Sequence, residues 1–285
     1  MRTDSNSPPT PLEVVHGIID VLKYDVSSLK RCSLVSKSWH CRSRRWLFET
    51  IVVKSLDFRF DLVHSRSPDL FPGKCGDVPV GSPSIAYTLK LVVARYARTL
   101  HLVQYPPMRW MEPGLLLQYS NHFSTFVNVT SLTIDSLSIY LFNQADLRVV
   151  FGHFFNTVTE LSLDAPESTP QDLIAFLRHF SRLDNLSISD PEWVRARRFL
   201  FHPRRAPAPF SGSLELAGLC PESDLFMNLL SELPLRFRQL SILRCSLEAS
   251  EFDPLLDRLG ESLEVLTVSA WFGGAWLTEE NLEVS

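Results

Sequence analysis

The side chains with chemical potential fall in a few places along the 285 residues. His40 precedes Cys41, residue types that make a thiol nucleophile when imidazole and sulfur face one another. Adjacent residues on a helix point about 100° apart, so this spacing argues against such a pair. Lys30, Arg31, Lys37, Arg42, Arg44 and Arg45 crowd one segment with no acid among them. That cluster would steer an acidic protein surface or simply form a solvated helix face. Arg195, Arg197, Arg198, Arg204 and Arg205 share residues 191–212 with Pro203, Pro207 and Pro209. This is the composition of an exposed loop or of a recognition surface, not of a core element. A Pro/Gly-rich stretch at 71–83 reads as a surface loop.

The motifs of common enzymes are missing. The eleven glycines are scattered and build no phosphate-cradling loop, and neither H-E-x-x-H nor G-x-S-x-G occurs. Five cysteines, an odd number with no C-x-x-C, fit reduced thiols rather than a disulfide framework or zinc site. No catalytic, cofactor-binding or metal-ligating residue is assigned, and the expectation is a non-catalytic protein without cofactor. A net charge of −4 and the lack of a recognition motif with interleaved aromatics make nucleic acid an unlikely partner. The longest uncharged stretch, residues 113–134, is too polar to span a bilayer. Residues 1–10 read as a disordered tail without a secretory signal, and the expected location is the cytoplasm or nucleus.

The elements that must position these groups begin at Pro11. Leu12, Val15, Ile19 and Leu22, with Ile18 beside them, recur at helical spacing. Asp25 or Ser27 then offers an N-cap, and Leu29, Cys32, Val35 and Trp39 carry the apolar stripe through a second helix. A third, basic helix is expected from Arg42 to Phe48. A unit of this size cannot bury enough surface to stand alone. Some of its Ile, Val, Leu and Trp must therefore face the rest of the chain or a partner. Six such side chains passing into a partner would gain roughly 9–18 kcal/mol, against roughly 4–15 kcal/mol lost on association.

This stretch resembles the F-box, the module that attaches substrate receptors to the adaptor Skp1 of cullin-based ubiquitin ligases. The likeness lies in Pro11-Leu12-Glu13-Val14-Val15, Ile18-Ile19, Leu22, the run Cys32-Ser33-Leu34-Val35-Ser36-Lys37-Ser38-Trp39, and Leu47-Phe48. It is closest to F-box proteins of mushroom-type fungi. Thr10 stands where that family has Leu. The resemblance implies that Pro11, Leu12, Val15, Ile18, Ile19, Leu22, Leu29, Cys32, Val35 and Trp39 contact a Skp1-type adaptor, and through it a cullin, or support that contact.

Beyond residue 50 a second pattern takes over. Leu-x-Leu-like triplets begin at Leu100, Leu132, Leu161, Leu186, Leu214, Leu240 and Leu266, spaced by 32, 29, 25, 28, 26 and 26 residues. Helical patterns follow at Pro170–Phe180, Pro221–Leu233 and Glu251–Leu259, Ile51 to Val53 reads as a strand, and Phe58 to Leu62 reads as helical. A period in the twenties with L-x-x-L-x-L resembles an irregular leucine-rich repeat. The Asn/Cys ladder is mostly missing, and Asp135, Asp164 and Asp190 partly occupy the turn region instead. The alternative is an ordinary α/β domain.

The expected architecture is therefore α/β: a small all-helical F-box at 11–50, then a curved leucine-rich-repeat-like solenoid of strand–helix units at 51–285. The central triplet residues His101, Thr133, Ser162, Ser187, Glu215, Ser241 and Thr267 would face a substrate but are small. Larger anchors are Trp193, Arg197, Arg198, Trp271 and Trp276, although the C-terminal aromatics also suit an end cap. The expected function is substrate recognition within a Skp1–cullin–F-box ubiquitin ligase. The alternative is a leucine-rich scaffold with no ligase role.

Overall fold

A computed structural model describes residues 11–56, 59–64, 94–105, 113–194, 210–219, 226–227, 230, 233, 235–245, 252–272, 275–276 and 280–283. The chain divides into two compact units, one comprising Met1–Ile51 with His64–Ala97 and the other Val52–Val63 with Arg98–Ser285.

In the first unit, α1 spans Leu12–Val21 and runs into a 3₁₀ turn, Leu22–Tyr24. Helix α2 spans Val26–Cys32 and α3 spans Lys37–Leu47. Asp25 caps α2: its carboxylate accepts from the Ser28 amide at 3.1 Å and from the Ser27 and Ser28 hydroxyls at 2.8 and 2.6 Å. These donors, Ser28 foremost, hold the Asp25 carboxyl down at about 2. Ser36 caps α3 by accepting from the Trp39 amide. The expected second helix through Trp39 is thus two elements: Ser33, Leu34 and Val35 form the turn between them, because the Ser36 cap restarts the helix.

Val15, Ile19, Leu29 and Leu47 form the core here, with Leu22, Val26, Trp39, Trp46 and Phe48 packed around them. Asp20 ties α1 to α3. It accepts from Arg42 Nε at 2.8 Å and Trp46 Nε1 at 2.7 Å, and it pairs with the Arg42 guanidinium. The Arg42 bond, ahead of the other influences, lowers the Asp20 carboxyl and raises Arg42.

The second unit is dominated by a sheet. Its strands are β1 (Thr50–Leu56), β2 (Arg59–His64), β3 (Thr99–Tyr105), β4 (Ser131–Asp135), β5 (Glu160–Asp164), β7 (Asn185–Ser189), β9 (Phe210–Ala217), β10 (Leu235–Cys245), β11 (Val265–Phe272), β12 (Ala275–Trp276) and β13 (Glu280–Glu283). The order is β12-β11-β10-β9-β7-β5-β4-β3-β1-β2, with β13 also on β11. The two-residue strands β6 (Glu167–Ser168) and β8 (Glu192–Trp193) pair separately. From β3 to β11 successive neighbours are parallel, whereas β12 and β13 run antiparallel to β11.

The seven Leu-x-Leu triplets lie in one register: Leu100, Leu132, Leu161, Leu186, Leu214, Leu240 and Leu266 are successive cross-strand partners. On β4, β5 and β7 the leucine and isoleucine positions are buried and the intervening residues are not, which is the period-two signature of a sheet with one face packed. Rings continue that core: Phe151 meets Phe176 at 5.5 Å, and Phe176 meets Phe180 at 5.3 Å.

Two backbone devices repeat with the triplets. Four residues after five of the seven leading leucines, Leu132 to Leu240, stands a left-handed residue: Ser136 (φ 56°), Ala165 (45°), Asp190 (47°), Gly218 (65°) and Arg244 (54°). The first four donate their amide to the next strand's end, to the carbonyls of Asp164, Ser189, Ala217 and Leu243 at 2.8–2.9 Å. Two residues before Leu100, Leu132 and Leu161, the carbonyls of Arg98, Thr130 and Thr159 each accept two amides from the following unit. These bonds occupy backbone groups that strand ends otherwise leave open.

The expected all-helical head and solenoid are overturned. The helices from Leu12 to Leu47 belong to a unit that also takes in residues 64–97, so no separate helical head closes at residue 50. In the sheet unit the helices are sparse and short. Among the described residues the α-helices of at least one full turn are α4 (Pro113–Phe123), α5 (Gln144–Phe151), α6 (Pro170–Leu177) and α7 (Asp253–Leu259). No described helix joins β7 to β9, and the sheet ends in antiparallel strands. The triplet period reports where strands align, not what connects them. Phe58–Leu62, expected to be helical, falls largely in β2, whose Arg59–His64 alternation Phe60, Leu62 suits a strand. Residues 71–83 and 84–93 lie outside the described residues.

Candidate protein-interaction site

Two surfaces hold the residues singled out above. On the helices, the ten candidate adaptor residues separate by exposure. Val15, Ile19 and Leu29 are buried, Cys32 is at 9%, and Leu22 and Trp39 are half-buried against the core. Pro11, Leu12, Ile18 and Val35 face out. Helix α1 carries a second stripe besides the inward one. Val14, Ile18 and Val21 recur at i, i+4, i+7, and their mean direction lies about 100° from that of Val15, Ile19 and Leu22.

Val21 is 83% exposed and Ile18 45%. Tyr24, and Leu34 and Val35 in the α2–α3 turn, are exposed as well, with Leu34 at 86%. Sequence reasoning missed Val14, Val21, Tyr24 and Leu34. The i, i+4, i+7 spacing on α1 was the signal available for the first two. Across 12–47 seven Lys or Arg face three Asp or Glu, so this apolar surface sits on a basic background.

His40 and Cys41 do not pair. His40 Nδ1 donates to the Ser33 carbonyl at 3.0 Å, closing the α2–α3 turn, while Cys41 is an exposed free thiol. Cys41 lines an open cleft with His16, Ser38, Arg42, Arg45 and Tyr96. Cys32 and Cys245 are buried free thiols, and burial pushes the Cys245 thiol up. No cluster of His, Cys, Asp or Glu among the described residues has the arrangement of a metal site, and no described helix is long and apolar enough to cross a membrane.

On the sheet, the central triplet residues form one continuous row: His101, Thr133, Ser162, Ser187, Glu215, Ser241 and Thr267 are cross-strand partners in that order. Flanking rows add Ser131, Glu160, Asn185 and Ser213 on one side and Asp135, Asp164 and Ser189 on the other. His101 Nε2 lies 2.8 Å from Asp135. Ser187 donates to Glu215 at 3.1 Å, Ser213 to Asn185 at 2.7 Å, and Arg244 reaches Asp190 at 3.3 Å. The Asp164 carboxyl is raised, first by lost hydration and then by the charges of Asp135 and Asp190. The sequence reading gave Asp135 and Asp164 to the turn region and followed only the central column across the face, so the flanking carboxylates were not seen as part of it.

Of the candidate substrate anchors, Trp193 is half-buried with its ring 5.2 Å from Phe226, a packing role. Trp271 and Trp276 are register partners in the β11–β12 pairing. Arg197 and Arg198 lie outside the described residues. Comparison of the chain with protein-family models and with curated proteins finds no match.

Proposed function

We propose that the chain is a substrate receptor of a Skp1–cullin ubiquitin ligase. Its F-box-like residues dock on a Skp1-type adaptor, and the sheet unit holds a protein substrate. The observation that carries this reading is the apolar surface of α1 and the α2–α3 turn. Leu12, Val14, Ile18, Val21, Leu34 and Val35 retain 45–86% of their exposure although α1 has already buried its other stripe. A second apolar stripe on a short helix has no use within its own core, and exposed apolar stripes of this kind mark interaction sites.

Completing the burial of those six would gain roughly 6–11 kcal/mol at about 1.5–3 kcal/mol per side chain, against roughly 4–15 kcal/mol lost on association. The apolar stripe alone therefore gives modest affinity, and the basic side chains around it supply steering and specificity. In this arrangement the chain performs no bond-breaking step. It contributes proximity between substrate and the ligase's catalytic subunits.

Purified Skp1-type adaptor should be captured by the full chain. Ile18→Asp combined with Val21→Asp should weaken capture at least tenfold with the thermal midpoint unchanged, since both positions face solvent. Failure of the wild-type chain to bind the adaptor defeats the reading and leaves the scaffold alternative.

A further inference from the structure

The polar face of the sheet has one-sided chemistry. Strands β4, β5, β7 and β9 contribute Asp135, Glu160, Asp164 and Glu215 and neither Lys nor Arg, and Asp184 and Asp190 stand beside them. Among the described residues, cations meet this surface at its margins, His101 on Asp135 and Arg244 on Asp190. Glu160 and Asp164 have no ion-pair partner among the described residues. Asp184 and Glu215 accept from serine hydroxyls, at 2.7 Å from Ser211 and 3.1 Å from Ser187. Between the carboxylates lie half-buried small side chains, and Ser162, Asn185, Ser187 and Ser213 floor an open depression bordered by Glu160 and Glu215.

We propose that this face binds an extended, Lys- or Arg-bearing segment of a partner protein. The low hydroxyl floor lets a backbone lie close, and its Ser and Asn groups serve peptide N–H and C=O alike. Glu160 and Glu215 sit two strands apart and two residues out of register, a separation of roughly 12 Å at about 4.8 Å per strand and 3.3 Å per residue. Same-side side chains four apart on an extended peptide span about 13 Å, so basic residues at i and i+4 meet both carboxylates. The proposal rests on the receptor reading above and names the class of its cargo.

The test uses the full chain and a fluorescent Ser/Thr peptide with arginine at every fourth position, titrated by anisotropy. Glu160→Gln with Glu215→Gln should weaken binding about tenfold, the worth of two exposed ion pairs, and flatten the dependence on ionic strength. Asp257→Asn with Glu261→Gln removes the same charge from exposed positions elsewhere and should leave affinity within twofold. Equal loss in both pairs, or none in the first, overturns the proposal. Adaptor capture, scored separately on Ile18→Asp with Val21→Asp, should be indifferent to the sheet variants. Peptide binding that survives while wild-type capture fails therefore sinks the ligase reading and not this one.

Discussion

The helices of residues 12–47 and the large sheet solve the problem of apolar surface in opposite ways. The sheet alternates strictly on β4, β5 and β7, hiding leucine and isoleucine and presenting serine, threonine and carboxylate. Among the described residues of the second unit, the large hydrophobics left exposed are Val127, Leu141 and Val149. The helices leave seven outside: Leu12, Val14, Ile18, Val21, Tyr24, Leu34 and Val35. The charges are inverted too, basic on the helices and acidic on the central strands. A sheet with dozens of neighbouring residues can satisfy itself. Three short helices around Val15, Ile19, Leu29 and Leu47 leave that apolar surface exposed.

The largest effect should come from testing inside against outside on the helices. Leu29→Ala removes a fully buried side chain and should lower stability by about 2–5 kcal/mol in chemical denaturation. Val21→Ala, at 83% exposure, should stay within about 0.5 kcal/mol. Similar losses at both would erase the distinction between the two stripes of α1.

Next in size is the left-handed column of the sheet. An added Cβ at Gly218 would lie 1.9 Å from the Asp190 carboxylate, at φ +65°, so Gly218→Ala should cost about 1–2 kcal/mol or more. Ala165 already holds φ 45° with a Cβ, and Ala165→Gly should gain up to about 1 kcal/mol. Thermal unfolding of the two variants reads the opposite signs directly.

The smallest effect concerns pH, and the two regions should again diverge. Asp25 on the helices is depressed to about 2. Its contribution is present above the unfolded carboxyl range near 4 and is lost as pH falls through about 2. Asp172, at the start of α6 and 4% exposed, is raised by burial, with its Oδ1 lacking a partner and Oδ2 accepting from Thr169 at 2.7 Å. Its contribution is full below the unfolded value and declines as pH rises through the folded one. Stability measured against pH should therefore lose an acid-side slope in Asp25→Asn. In Asp172→Asn the variant should gain on the wild type above pH about 4; a parallel curve there would show that Asp172 is ionised without penalty.

What could be read in advance follows from which residues encode two facts at once. Each Leu-x-Leu triplet states both a strand and its inward face, so the register from Leu100 to Leu266 was legible. Two connecting helices were legible as well, since the patterns at Pro170–Phe180 and Glu251–Leu259 coincide with α6 and α7, whereas α4 and α5 were not read and Pro221–Leu233 lies largely outside the described residues. Trp39 was placed one helix early because a continuous 3.6-residue stripe conceals a cap, and only Ser36 marked the break. Ile18 was seen as a companion of the inward stripe when it belongs to the outward one with Val14 and Val21. A strand as short as β2, with its charges at Arg59 and Asp61, carries too few residues to separate two periods.

The column of left-handed residues from Ser136 to Arg244 sets a rule for growth. Strands β4, β5, β7 and β9 are each joined to the next by the same amide and carbonyl at fixed offsets from the leucine, although the segments between them differ in length. Connecting lengths are thus free to drift while the stack stays aligned. A duplication or loss of one whole step would change the number of carboxylates and hydroxyls on display without disturbing those that remain, so the reach of the surface can be adjusted in increments of a single strand.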